Sequence, residues 1–363
     1  MKTRLRKWRL ISLFAIMTLI LAGCGEAKLS ALKPAGEVAQ KQFDLMVLST
    51  LIMVVVIIVV VILFVIAIVR FRRKDGDDSI PKQVEGSHKL EVIWTTIPIL
   101  LLIIMAIPVV TYTFELADTS AMEVKDKDGK TKDAVVINVR ANLYWWEFEY
   151  PDYGIFTSQD LVVPTDEKVY FNLKASDVKH SFWVPAAGGK MDTNVDGVNQ
   201  MYLVFDSKKS NEAQNLFYGK CAELCGPSHA LMDFKVVTKS KDDFNSWVTS
   251  MQTVAKEPKV AEGELAKQGQ EIFNKSCIGC HAVSTSGNGA GMGPNLSNFG
   301  ERERIAGFLD HTEENLKKWI KNPDDYKPGN TMAGKYGKLT DEQIDALAEY
   351  LLNLKVEGSK HID

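Results

Sequence analysis

Two long stretches without a charged residue dominate the first third of the chain, Leu45 to Val69 and Val92 to Phe114. Each exceeds the ~20 residues needed to cross a hydrocarbon core. A backbone in lipid must satisfy its own polar groups, so both are predicted to be helices. The segment between them, "RFRRKDGDDS", sets Arg70, Arg72, Arg73 and Lys74 against the first apolar run. Basic residues beside a span stay on the cytoplasmic side. The loop is therefore expected inside, with the N-terminus and everything after Phe114 outside. From about Ala121 the period shortens. "AVVINVRA", "YWWEFEY", "KVYFNLKA", "QMYLVFD" and "DFKVVT" cluster or alternate β-branched and aromatic residues between turn-forming Asp, Gly and Pro, the pattern of a β-sandwich or barrel. After "AKEPKVAEG", a linker by composition, the pattern turns helical. The last helix is expected to open on a capping box of Thr340 and Gln343 and to bury Ile344, Leu347, Leu351 and Leu354.

The extreme N-terminus has a different character. "MKTRLRKWRL" is basic, Leu10 to Ala22 is uncharged, and "LAGC" follows. A basic start, a short apolar core and small residues describe an export signal, and the apolar part is too short to span a bilayer. The ending resembles the lipobox of bacterial lipoproteins, which implies a lipid on Cys24 as the mature N-terminus. A net charge of −3 gives no reason to expect nucleic acid as a partner. The five cysteines are Cys24, Cys221, Cys225, Cys277 and Cys280. Each falls in a short motif, so none is left for a disulfide framework.

The stretch "CAELCGPSHALM" carries Cys221, Cys225, His229 and Met232, and His180 lies upstream in "KHSFWVP". A disulfide or a copper-chaperone thiol pair on a thioredoxin-like fold would suit Cys-x-x-x-Cys, but the surrounding pattern is all β and His229 and Met232 follow the cysteines directly. Zinc accepts Cys and His but gains little from a thioether, whereas thiolate, imidazole and thioether together suit copper. A single blue-copper site needs one Cys, two His and a Met; a second Cys is present here. Two thiolates can bridge two copper ions, leaving one His for each, with Met232 and a backbone carbonyl as weak further contacts.

The helical C-terminal part contains Cys277-Ile-Gly-Cys280-His281. Cys-x-x-Cys-His reads as c-type haem attachment, with the adjacent imidazole as an axial ligand to iron. The sixth ligand must come from the opposite face. Met292 in "GAGMGPNL" follows His281 too closely, so Met332 in "KPGNTMAGKYG" is favoured. His311 and His361 have no motif context and are expected in solvent.

"CAELCGPSHALM", "HSFWVP" and "SHKLEVIWTTIP" together resemble subunit II of bacterial cytochrome c oxidase with its binuclear copper A centre, over roughly Phe43 to Val237. With the C-terminal haem motif, the whole chain is similar to the caa type, in which a class I cytochrome c is fused to that subunit. The resemblance implies a multidomain membrane protein. A lipoprotein-type signal would occupy 1–23 and a two-helix hairpin 24–120. An all-β cupredoxin-like sandwich would follow over 121–242, a linker over 243–262 and an all-α cytochrome c over 263–363. It implies copper ligation by His180, Cys221, the Glu223 carbonyl, Cys225, His229 and Met232, and a magnesium ion reached by the Glu223 carboxylate. Cys277 and Cys280 would carry haem c covalently, with His281 and Met332 axial and the Pro294 carbonyl orienting the imidazole. Glu91 would stand at the mouth of a proton channel, with His88 beside it. Partners would be the haem–copper catalytic subunit I, other oxidase subunits, and a cytochrome c or upstream reductase as donor, at the outer face of the bacterial cell membrane. The sequence departs from the family where electrons are admitted, since Tyr144 stands at the usual Trp position, followed by Trp145 and Trp146. "KMDTNVDGVNQ" also lacks the usual Pro-Gly-Arg. The alternative is a membrane-tethered copper and haem electron carrier serving another reductase, which copurification with a haem–copper subunit discriminates; a copper-delivery protein is a further rival, which copper bound as a stable coloured pair discriminates.

Overall fold

The computed structural model describes residues 12, 16, 25–73, 76, 80, 83–132, 134–256, 261–286 and 291–356; Cys24, His361 and almost all of the expected signal segment lie outside them. Helix α1 (Glu37–Arg70) and helix α2 (His88–Ala117) form the hairpin, each longer than the apolar run that announced it. Their apolar side chains point outward all round, Leu63 at 61 % and Leu102 at 60 % exposed. A helix apolar on every face needs an apolar solvent, so both are membrane spans by length and composition. At the end next to the β domain, Lys41 bridges Glu37 on its own helix and Glu115 on the other. The chain before α1 is stitched to that domain by backbone bonds, Ala35 N–H to Ala186 O at 2.7 Å, Asp206 N–H to Ala35 O at 2.8 Å and Tyr218 N–H to Lys28 O at 2.9 Å.

The β domain is a sandwich of two five-stranded sheets. One contains β1 (Val135–Asn142), β2 (Trp145–Tyr150), β3 (Ile155–Ser158), β5 (Lys168–Ala175) and β8 (Asn199–Val204), in the order β3-β2-β1-β5-β8. The other contains β4 (Asp160–Pro164), β6 (His180–Trp183), β7 (Met191–Thr193), β9 (Leu216–Cys221) and β10 (Asp233–Lys239), in the order β4-β10-β9-β6-β7. Alternation turns one side chain of each pair inward, and the core fills with rings. Phe182 and Phe234 stack at 4.9 Å, and Trp146 tilts onto Phe234 at 5.3 Å. A short helix α3 (Ser207–Glu212) precedes β9.

Most of the stretch expected to be a linker, 243–262, is instead helical. Helix α4 (Lys241–Lys256) buries Phe244, Trp247, Val248 and Met251 in the core of the β domain. Those positions recur at helical spacing, and the apolar area they remove from water outweighs the disorder that a Lys/Pro/Glu composition favours.

The C-terminal domain is built on helix α5 (Glu264–Ser276), helix α6 (Glu313–Lys321) and helix α7 (Asp341–Leu352), with a two-stranded ribbon of β11 (Arg304–Ile305) and β12 (Leu309–Asp310). Helices α5 and α7 cross with Phe273 and Tyr350 in ring contact at 5.5 Å. The Thr340–Gln343 capping box is formed, and Ile344, Leu347, Leu351 and Leu354 are buried. His311 is not in solvent as expected: its ring packs on Phe299 at 5.2 Å.

This domain is docked on the sandwich. Phe156 N–H donates to Thr285 O at 2.8 Å, Asn295 N–H to Ser158 Oγ at 3.0 Å, and Glu303 N–H to Asp160 Oδ2 at 2.9 Å. Asp160 is 5 % exposed, and burial pushes its carboxyl up to about 6 against the Glu303 N–H bond and the charges of Arg302 and Lys235. The folded chain thus holds a proton that the unfolded chain has released at the ordinary carboxyl value of 3.8. The group's contribution to stability is complete below pH 4 and is lost as pH rises through 6, by roughly 3 kcal/mol. Asp160→Asn keeps the acceptor for Glu303 and has no proton to lose. The stability of wild type relative to this variant, followed by thermal unfolding, is expected to fall between pH 4 and 7. A constant difference would exclude a raised Asp160.

Candidate metal and haem sites

One end of the second sheet gathers the candidate copper ligands. His180 opens β6, Cys221 closes β9, Met232 immediately precedes β10, and the β9–β10 connection carries Glu223, Cys225 and His229. The register explains the meeting: β6 pairs with β9 so that Phe182 faces Cys221, and Cys221 N–H donates to Met232 O at 3.2 Å. Cys221 Sγ and Cys225 Sγ are 3.9 Å apart, almost twice the ~2.05 Å of a disulfide. His180 Nδ1 lies 3.9 Å from Cys221 Sγ, and His229 Nδ1 lies 3.7 Å from Cys225 Sγ. A thiolate and an imidazole sharing an ion at about 2.3 and 2.0 Å approach one another this closely. Met232 Sδ is 3.9 Å from Cys225 Sγ, and the Glu223 carbonyl is 3.3 Å from Cys221 Sγ.

The electrostatics of this end favour a cation. The two thiols interact so closely that the Cys225 hydrogen bond drives Cys221 down, with His180 assisting, while the same contact and burial drive Cys225 up. A pair that strains to hold one proton accepts a metal ion in its place. His180 is fully buried, and burial alone would lower it. The hydrogen bond from its Nε2 to Asp177 Oδ1 at 2.8 Å, with the Cys221 contact, holds it up. That bond leaves Nδ1 facing the sulfur, the usual way an outer carboxylate orients a ligating imidazole. Asp177 was not singled out in the sequence; an Asp three residues before a ligand His in a loop is the signal that could have found it. Trp146 is fully buried, donating from Nε1 to Met232 O at 3.2 Å with its ring edge-on to His180.

The second site is a cavity of about 620 Å³. Cys280, His281, Met292, Pro294 and Met332 line it from the C-terminal domain, and Tyr144, Trp145 and Asp177 line it from the sandwich. Cys277 is half-buried at the end of α5. His281 Nδ1 donates to Pro294 O at 2.8 Å, which leaves Nε2 with a free lone pair for a ligand, and burial lowers the imidazole so that it stays neutral. Gly293 makes this possible, since a Cβ there would lie 2.8 Å from His281 Cε1. The donor set and the lining fit a haem. Met332 is half-buried in a loop fixed by Asn330 Oδ1, which accepts from the N–H groups of Met332 and Ala333 at 3.0 Å each. Met292 is 59 % exposed. Tyr144 and Trp145 are only 4 % and 6 % exposed; Tyr144 belongs to the core of the sandwich, and both line the cavity shared with the C-terminal domain. Glu91 lies in the first turn of α2 with its carboxylate 3.8 Å from His88 Nδ1, far from both sites in the chain.

Comparison with known proteins agrees with this arrangement in chain order. Residues 31–112 match the family described as cytochrome c oxidase subunit II, transmembrane domain, and residues 155–240 match its periplasmic domain. Residues 266–355 match cytochrome c. Cytochrome c oxidase subunit 2 of Bacillus sp. (strain PS3) is 64 % identical across 98 % of this chain and 100 % of its own length. That of Bacillus subtilis (strain 168) is 60 % identical across 97 % and 99 %. Among solved structures, the periplasmic domain of subunit II of cytochrome oxidase from Bradyrhizobium japonicum is 26 % identical over 33 % of this chain and 94 % of its own, with a TM-score of 0.30. Spans, sandwich and haem-motif domain, each matched in order and together covered end to end by close relatives, make this chain a member of the cytochrome c oxidase subunit II family with a cytochrome c domain fused at its C-terminal end.

Proposed function

We propose that the chain takes electrons singly from cytochrome c or an upstream reductase into a covalent haem c and passes them to a binuclear copper A centre. From there they would reach the haem–copper catalytic subunit I, where oxygen is reduced to water with proton translocation. The coarse frame is already given: a membrane-bound oxidase subunit, with copper in the sandwich and haem in the fused domain. One observation carries the finer reading. The cavity walled by His281 and Met332 has Tyr144, Trp145 and Asp177 as its other wall, and Asp177 holds His180. Donor and acceptor sites thus share a partition inside one folded unit.

When bound, haem supplies a one-electron iron couple and the copper pair a delocalised one-electron couple. The protein's own residues do the holding. Cys277 and Cys280 would hold the haem covalently, His281 and Met332 would ligate its iron, and the Pro294 carbonyl would fix the imidazole tautomer. Cys221 and Cys225, together with His180, His229, Met232 and the Glu223 carbonyl, would hold the coppers. The Glu223 carboxylate would reach magnesium at the subunit interface. Glu91 would admit protons toward the catalytic subunit. The arginines after α1 support an inner loop, hence domains on the outer face of the cell membrane, and "LAGC" supports a lipid on Cys24.

Absorption and electron paramagnetic resonance of the purified chain, with metal analysis, test this reading. Two coppers sharing one unpaired electron and one covalent haem are expected. A single copper, zinc in its place, or haem extractable by acid solvent would overturn it.

A further inference from the structure

The loop that carries Met332 is also the loop that touches the copper end of the sandwich. Lys327 is 2 % exposed, and its ammonium donates to Tyr144 O of the sandwich at 2.8 Å and to Ala306 O of its own domain at 2.7 Å. The next residue, Pro328, accepts at its carbonyl from Ser228 Oγ at 2.7 Å. Ser228 is fully buried and directly precedes His229. Gly329 follows at φ +76°, a backbone region that side-chain-bearing residues rarely adopt, and a Cβ there would lie 3.1 Å from Pro227 Cγ. Asn330 then ties these residues to Met332, whose N–H it accepts.

A lysine ammonium withdrawn from water is costly unless its donors are met. Here two of its three donors meet carbonyls that belong to different domains, so both bonds form only when the domains sit in this one register. A lysine serving its own domain alone would need no acceptor on the other. The Ser228 bond fixes a second point, one residue from His229, and Gly329 lets the backbone approach closely enough to form both.

We propose that Lys327, together with the Ser228–Pro328 hydrogen bond, is a latch that holds the haem face of the cytochrome domain in a single register over the copper loop, making Lys327 a positioning residue for electron transfer between the two centres. The inference rests on the reading of Met332 and His229 as ligands. In the step it serves, one electron leaves reduced haem c, which is oxidised, and enters the copper pair, which is reduced; no bond or proton moves.

The test uses the full chain with Lys327→Met and, separately, Ser228→Ala, which removes a single hydroxyl. Hydrogen–deuterium exchange is expected to rise in both variants at amides 143–146 and 327–333, with α5, α7 and the sandwich core unchanged. Flash-initiated electron transfer from haem to copper is expected to slow about tenfold, since small misplacements of reacting partners cost rate steeply. Haem and copper spectra, and reduction of each by a small soluble reductant, should stay as in wild type. Wild-type exchange and transfer rate in both variants would overturn the latch, and if Lys327→Met does not fold, Ser228→Ala alone decides. Loss of a cofactor spectrum in Ser228→Ala would also overturn it, because the residue would then be holding a site and not a register. A missing copper pair or haem in the unaltered chain would instead overturn the functional reading beneath it.

Discussion

Cys225→Ser is expected to abolish the copper centre while leaving the haem domain intact. Cys225 Sγ meets three others of the proposed ligand set: Cys221 Sγ at 3.9 Å, His229 Nδ1 at 3.7 Å and Met232 Sδ at 3.9 Å. Serine keeps the volume, so the β9–β10 loop and the Phe182–Phe234 stack should fold as before. A hydroxyl, however, is a hard, weakly acidic ligand that does not bridge soft copper ions as a thiolate does. Copper content and the mixed-valence spectrum should both disappear, and Cys221→Ser should behave alike. The loss should exceed the roughly 10–100-fold drop in affinity expected when only an outer partner of a ligand is removed. Asp177→Asn provides that comparison, because it weakens the hold on His180 without touching a sulfur. Retention of two coppers in either serine variant would show that the thiols do not bridge.

Met332→Ala is expected to change the haem from a six-coordinate low-spin form to a high-spin or differently ligated one, and Met292→Ala is not. Both side chains line the cavity. Met332, however, is half-buried on a loop pinned by Asn330, Lys327 and Pro328, while Met292 is 59 % exposed. Methionine opposite histidine raises the iron potential, so its loss should also lower the potential and slow electron delivery to copper. Optical and paramagnetic resonance spectra with a redox titration measure both effects. The reverse pattern between the two variants would reassign the axial ligand.

The parts of the molecule that could be read from the chain are those whose physics is local. An uncharged run longer than a bilayer is thick specifies a span whatever surrounds it. Cys277, Cys280 and His281 lie within five residues, and Cys221, Cys225, His229 and Met232 within twelve, so one short loop brings each set together. Helix α4 was obscured because its apolar residues, Phe244, Trp247 and Met251, sit beside a Lys/Pro/Glu stretch whose composition reads as a linker. Tyr144 and Trp145 stand in the sequence only as aromatics where electrons are admitted, and the fold buries both where they line the cavity shared with the C-terminal domain.

What the sequence determined, then, is the order of the domains, the two membrane spans and the kinds of donor atom offered to copper and haem, because each depends on residue type and near-neighbour spacing. Tertiary structure decided which of those donors meet and in what register. His180 reaches Cys221 only through the pairing of β6 with β9. The contacts between the two sites join residues 183 and 100 positions apart, Lys327 to Tyr144 and Ser228 to Pro328. A lysine or a serine read alone is a solvated side chain; burial between two domains, with carbonyls waiting on both sides, is what gives it a role.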